Sequence, residues 1–327
     1  MKKIAPDIYK IPVPLPGNPL RELNAYLVRG ERDLLIDTGF NLDVCEKVMR
    51  AAFAELGVRE NKLDIFITHP HSDHIGLLPR LATEATRVFC GRVDWNSLVL
   101  WDDIHDQSSI IFRFLSDKGL DLKGADPALF DRPEFCVGWR RLRAACNYEY
   151  LREGQILPVG DYQFRVLETD GHCHGHLCLY EPEHRFLFSG DHILATISPN
   201  LICYDLDGTS SLGCYLKNLA KIENLHIDAV YPGHRGIIND CKRRVAELRA
   251  HHCRRLEEVA CILRRAPQTG VEVAARMSWA SSVRWQDLPL NQKYFALGEA
   301  LAHINYLKEI GTVRLCAQNG KFYRDTL

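Results

Sequence analysis

The chain has 327 residues, with Lys+Arg 41 against Asp+Glu 42 and a formal net charge of −1. At ~150 residues per domain, this length points to two domains and to a core that needs no disulfide staple. Apolar residues make up 46% and charged residues 25%, which excludes wholesale disorder and a coiled-coil rod, and the near-neutral balance argues against a dedicated polyanion binder.

No run of 18 apolar residues is present, so no membrane span is expected. The N-terminal MKKIAPDIYKIPVPLPGNPL lacks the apolar stretch of a secretory signal. The 12 cysteines are scattered and form no CxxC pair, as in a reduced, cytoplasmic protein with free thiols.

The first part reads as short strands. AYLVRG (25–30) and DLLIDTG (33–39) suggest a hairpin leading into a central strand, and LDVCEKVMRAAFAELG (42–57) has a helical period that ends at Gly57. LDIFIT (63–68) is a buried strand that stops at His69; HIGLLPRLATE (74–84) suits a helix and TRVFCG (86–91) a strand. Residues 92–150 interrupt this rhythm. Trp95, Leu98, Trp101, Ile104, Ile111, Phe112 and Leu115 recur at broadly helical spacing, which suggests a mostly helical insertion over a surface or pocket. QILPVG (155–160), YQFRVLET (162–169), HLCLYEP (176–182) and RFLFSGD (185–191) then read as successive strands, and LHIDAVYPGH (225–234) as a strand closed by a glycine turn.

Composition changes near residue 240. From Asp240 onward there are 15 Lys/Arg and 9 Asp/Glu, a local net of +6, which leaves −7 for the rest. A long helical run, CKRRVAELRAHHCRRLEEVACILRRA, carries an apolar stripe of Val245, Leu248, Leu256, Val259 and Leu263. TGVEVAARM and YFALGEALAHINYLKEIG are further helix candidates, and Asn319-Gly320 marks a hairpin within VRLCAQNGKFYRD. Helices followed by a terminal hairpin suggest a winged-helix-like module, giving domains of 1–239 and 240–327. Arg243, Arg244, Arg254, Arg255, Arg264 and Arg265 would form a positive stripe, a solvated helix face, or contacts packed against the catalytic domain.

The strongest chemical signal is His69-Pro70-His71-Ser72-Asp73-His74, which puts four potential ligands in six residues directly after a buried strand. Such a loop can point His69 and His71 at one ion, and Asp73 and His74 at a neighbour. Imidazole and carboxylate suit zinc first, with iron or manganese as alternatives. Gly171-His172, Gly190-Asp191 and Gly233-His234 each place a ligand type beside glycine at a strand end. If Asp191 bridges, two four-ligand sets result: His69, His71, His172 and Asp191; and Asp73, His74, His234 and Asp191. Two ions so held would lower the pKa of a shared water and supply a hydroxide nucleophile. Cys173, between two histidines, offers cysteine chemistry instead, but the metal reading accounts for more residues. No G-x-S-x-G elbow, P-loop or dinucleotide fingerprint is present.

THPHSDHIG (68–76) resembles the first metal motif of the metallo-β-lactamase fold hydrolases, and TDGHCHGH (169–176), SGDH (189–192), YPGHRG (231–236) and DTG (37–39) resemble its other motifs. The resemblance runs from about residue 10 to residue 236. It implies an αββα sandwich with two divalent ions at the sheet edge, and His172 rather than His174 or His176 as the middle ligand. Asp170 stands where many members have proline. Asp37 resembles a residue that supports the ligands from behind, and a carboxylate at a strand end can accept an imidazole N–H. His176 is expected to hydrogen-bond behind the site, and His192 either to reach substrate or to stabilise its loop. The tail resembles the winged-helix-like tail of a subgroup that includes broad hydrolases and an endoribonuclease relative, where it lines the active-site mouth or a dimer contact.

The expected activity is hydrolysis of a thioester, lactone or other activated carboxylic ester, with Trp95, Trp101, Ile111 and Phe112 as the apolar wall. Phosphodiester or RNA hydrolysis is the alternative. Residues 91–150 carry 8 Lys/Arg and 10 Asp/Glu, which supplies no basic track. A non-catalytic metal-binding regulator is a third reading, disfavoured by retention of every expected ligand. The expected partners are a small organic substrate and possible second copies of the chain, not membrane or nucleic acid.

Overall fold

The computed structural model describes residues 1–92, 104–123, 125–126, 147–203, 206, 208–279, 283–316 and 321–324. Trp95 and Trp101 lie outside these residues. Fourteen strands are described. The first sheet runs in chain order: β1 (Lys2–Ala5), β2 (Ile8–Pro14), β3 (Glu22–Val28), β4 (Asp33–Ile36), β5 (Leu63–Phe66), β6 (Arg87–Cys90) and β7 (Asn147–Tyr150). It is antiparallel from β1 to β4 and parallel from β4 to β7. The second sheet comprises β8 (Ile156–Val159), β9 (Tyr162–Glu168), β10 (Leu177–Glu181), β11 (Phe186–Gly190) and β12 (Ala229–Pro232), in the order β12-β11-β10-β9-β8. Only the β11–β12 pair is parallel there.

Period-2 alternation explains how the sheets face each other. In β10 and β11, Leu177, Leu179, Phe186 and Phe188 point into a core shared with Tyr26, Ile36 and Phe66 of the first sheet. Their neighbours Cys178, Tyr180 and Leu187 point to the other face. Leu35, Leu63 and Ile65 face outward from the first sheet and pack on α1 (Asp43–Leu56) through Cys45, Met49 and Phe53. The outer face of the second sheet is covered by α5 (Ser211–Glu223) and the tail helices α6 (Cys241–Arg265), α7 (Gly270–Arg276) and α8 (Leu290–Glu309). The result is an αββα sandwich. Hairpin β13 (Val313–Cys316) and β14 (Lys321–Arg324) closes the tail.

The expected helix over 74–84 is instead two single turns, α2 (Ser72–Ile75) and α3 (Leu78–Leu81). Pro79, in the first turn of α3, has no N–H to continue the ladder from α2. Within the insertion, α4 (Ile104–Asp117) is helical, whereas β7 is a strand pairing in parallel with β6. Ile111, Phe114 and Leu115 of α4 enter the core beneath the tail, and Phe114 meets Tyr294 of α8 at 5.7 Å. Ile111 is thus packed in the core, while Phe112 remains half-buried. No described helix is long and apolar enough to cross a membrane.

The tail carries a buried imidazole pair. His303 Nδ1 donates to Glu299 O at 2.8 Å, so its bare Nε2 accepts from His252 Nδ1 at 3.2 Å. Both rings are therefore neutral. Burial pushes His252 down to about 2 and His303 to about 4. Unfolding frees both to protonate below pH ~6.5. Their contribution to stability is complete above that pH and falls as pH drops, by about 1.4 kcal/mol per unit for each ring. His252→Gln should flatten the loss of metal-free stability between pH 6.5 and 4.5. An unchanged acid slope in denaturant titrations would refute the neutral pair.

Candidate metal centre

Five strand ends meet at one edge of the sandwich, the position where open α/β sheets place ligands. Asp37 follows β4, His69 follows β5, Asp191 follows β11 and His234 follows β12, while His172 lies on the turn entering β10. His71, Asp73 and His74 sit on the α2 turn. The donors form three overlapping groups: His69, His71 and His172; His69, His74 and Asp191; and Asp73, His74 and His234. Within each group the donor atoms lie within 4.8 Å of one another.

The hydrogen bonds fix most of the tautomers. His74 Nδ1 faces Asp37 Oδ2 at 2.8 Å, His172 Nδ1 faces Asn200 O at 2.7 Å and His234 Nδ1 faces Glu22 O at 2.8 Å. Each partner only accepts, so each Nδ1 donates and Nε2 is the atom aimed into the cluster. Thr68 Oγ1 donates to Asp37 Oδ2 at 2.9 Å and is then free to accept from His69 Nδ1 at 3.0 Å. His69 therefore also presents a bare Nε2.

These atoms converge. His69 Nε2 and His172 Nε2 each lie 2.9 Å from His71 Nδ1, and His74 Nε2 lies 3.3 Å from His234 Nε2. Asp191 Oδ1 sits 3.5 Å from Nε2 of both His74 and His234, and its Oδ2 sits 3.8 Å from His172 Nε2. Buried Oδ1 has no hydrogen-bond partner. Lone pairs and carboxylate oxygens aimed at one another repel unless cations stand among them, so the donor set fits a dinuclear metal cofactor.

Protonation agrees with that fit. Burial, reinforced by neighbouring imidazoles, drives His69 well below its ordinary range. Burial also lowers His172. Asp73 is lowered to about 2 because His74 and His234 outweigh burial, and Asp191 is lowered by the same two rings. For His74 burial is outweighed by Asp37, Asp191 and Asp73, and its pKa rises well above normal; His234 rises likewise beside Asp191 and Asp73. The carboxylate side of the cluster thus attracts positive charge.

The surroundings hold this edge rigid. Asp37 adopts φ +58°, a left-handed conformation that Asp tolerates, and its carboxylate accepts from Thr68 N at 2.9 Å. His176 lies behind the cluster: Nε2 accepts from Asp191 N at 3.2 Å and Nδ1 donates to Thr169 Oγ1 at 2.7 Å. His192 is fully buried, with its ring edge-on to Tyr215 at 5.0 Å, so it packs its own loop; His174 is exposed. Gly233 is required by space, since a Cβ there would stand 2.8 Å from both Asp191 Oδ1 and His74 Cε1.

The tail braces two of these loops. Arg244 of α6 donates to Leu194 O and Ile197 O, just after Asp191. Cys203 N donates to Gly298 O of α8, three residues from the Asn200 carbonyl that orients His172. The sequence reading did not single out Thr68, Thr169 or Asn24. Asn24 had a visible signal, as a lone amide inside the apolar run LNAYLV.

This cluster, at the edge of an αββα sandwich, defines a metal-dependent hydrolytic enzyme. The metallo-beta-lactamase superfamily model matches residues 19–88 and 125–234, more than half of the chain, and the chain belongs to that family. A beta-lactamase domain protein from Burkholderia ambifaria is similar over 99% of this chain and 94% of its own, at 27% identity and a TM-score of 0.81. An acyl-coenzyme A thioesterase from Gallus gallus is 29% identical over 221 residues, 64% of this chain and 72% of that protein. An atrochrysone carboxyl ACP thioesterase from Aspergillus chevalieri is 25% identical over 276 residues, 82% of this chain and 69% of that protein.

Proposed function

We propose that the chain hydrolyses acyl thioesters and related activated carboxylic esters, adding water across the acyl–sulfur or acyl–oxygen bond to release an acid and a thiol or alcohol. His69, His71, His172 and Asp191 would hold one zinc ion; Asp73, His74, His234 and Asp191 would hold the second. The observation that carries this reading is Asp191, whose two oxygens reach toward both histidine sets. When bound, such ions supply a water-derived nucleophile at neutral pH and stabilise negative charge on the carbonyl oxygen. Asp37, through His74 and Thr68, keeps the donors in their bare tautomers. His176 holds the Asp191 backbone in place.

Several features support a small acyl substrate. Two relatives are named as thioesterases. Half-buried Phe112 lies on α4, whose buried face joins the tail. We take residues 1–239 as the catalytic domain and 240–327 as a winged-helix-like module that buttresses it. The tail arginines do not favour nucleic acid: Arg243 and Arg244 pair with Glu247, and Arg255 pairs with Glu258 and Glu299. Nine described cysteines carry free thiols, which suits a cytoplasmic setting.

A matched panel of acyl thioesters, lactones, aryl esters and phosphodiesters tests the assignment. Thioesters should lead in kcat/KM. Each added acyl methylene buried should improve it by up to about 0.8 kcal/mol, with little response to salt. Dominant phosphodiester cleavage that falls steeply with salt would refute it.

A further inference from the structure

We propose that Asn24 is a positioning residue for the His234 half of the metal centre, clamping the loop that carries His234 onto β3. The inference rests on the two-ion reading above. Strand β3 is longer than its partner allows: β4 pairs only with Tyr26 to Val28, so residues 22–25 have no sheet neighbour on that side. The loop after β12 fills the vacant edge. Asn24 N donates to Gly233 O at 2.6 Å. Its side-chain Nδ2 donates to Pro232 O and to Arg235 O, both at 2.9 Å.

Both side-chain partners are carbonyl oxygens, so the NH2 end of the amide must face them. One buried side chain thereby spends both hydrogens on either side of His234. Oδ1 is buried without a hydrogen-bond partner, so the loop is where this side chain makes its polar contacts. Residues 22, 24 and 26 share one face of β3 by period-2 spacing. All three touch the same loop: Glu22 O receives His234 Nδ1 at 2.8 Å, and Tyr26 OH donates to Pro232 O at 2.8 Å. Arg235, the next residue, is held at φ +69° while its carbonyl accepts from Asn24. With the loop fixed by its backbone, His234 Nε2 stays 3.5 Å from Asp191 Oδ1 and 3.3 Å from Asp73 Oδ2. Among the described residues Asn24 hydrogen-bonds no other part of the donor set, so its loss should act on one half of the centre.

The test is a zinc titration of the full-length chain against a chromophoric chelator, read as two successive dissociation constants. Wild type should bind two ions. Asn24→Ala should weaken one step by roughly 10- to 100-fold, the usual cost of losing an outer support of a metal ligand, and leave the other within about threefold. Asn24→Ser serves if the alanine variant does not fold. Equal weakening of both steps, or no change in either, would overturn the assignment, as would failure of both variants to fold. A wild-type chain that binds fewer than two ions would instead overturn the two-ion reading.

Discussion

Asp191→Asn is expected to lower turnover by at least roughly a hundredfold at saturating metal, because losing even an outer support of a metal ligand commonly costs 10- to 100-fold. The substitution changes almost no volume. It removes one negative charge from a set that includes buried Asp37 and half-buried Asp73, and it replaces a carboxylate that faces three imidazoles. In the metal-free protein Asp191 faces the protonated Nε2 of His74 and His234, each 3.5 Å from Oδ1, and the amide removes that ionic partner as well. Metal-free Tm should therefore fall only slightly, while metal content and activity fall much further. Near-normal turnover with two ions retained would remove Asp191 from its bridging role.

Removing metal from the wild-type chain should give the second large effect. Without cations, His69 Nε2, His71 Nδ1 and His172 Nε2 are left facing one another at 2.9 Å contacts. A ligand present at a thousandfold excess over its Kd stabilises the folded state by about 4 kcal/mol. For a chain of this size that corresponds to a Tm drop on the order of 10 °C for each ion removed. Calorimetry with chelator and then with metal restored measures it directly. A Tm indifferent to both additions would contradict binding at this cluster.

The candidate ligands are legible because their spacing is local. Four of them lie between His69 and His74, after a strand whose apolar run is plain, and the others each adjoin a glycine at a strand end. The supports were harder to read. His172 and His234 are oriented by the carbonyls of Asn200 and Glu22, and a backbone carbonyl has no residue type to recognise. The N-terminal strands were hidden by proline. β2 contains Pro12 and Pro14, yet β1 pairs only with Ile8 to Lys10, so these prolines leave no ladder bond unmade on that side. Helix α5 is hard to read from the sequence, although Ser210 caps it and Leu212, Tyr215, Leu219 and Ile222 form its buried stripe. Gly213 in its first turn and Asn218 on its buried face obscure that pattern. Strand β7 gives no sequence signal of its own within the insertion, because four residues are too few to declare a period.

The αββα sandwich follows from alternation. Leu177, Leu179, Phe186 and Phe188 face one side, and Cys178, Tyr180 and Leu187 the other. What alternation could not reveal is how the tail serves the site. Arg244 reaches back to the loop after Asp191, and α8 holds the segment that orients His172. A basic stretch that reads as a stripe is in part a brace.

The most direct measurement of the central claim is anomalous scattering from crystals of the metal-loaded protein, collected at the metal's absorption edge. The account predicts two peaks roughly 3–4 Å apart, the separation usual in two-metal sites. One should lie against His69, His71 and His172, the other against Asp73, His74 and His234, with Asp191 touching both. A single peak in fully loaded crystals, or an ion held by His174 or His176 in place of His172, would contradict it.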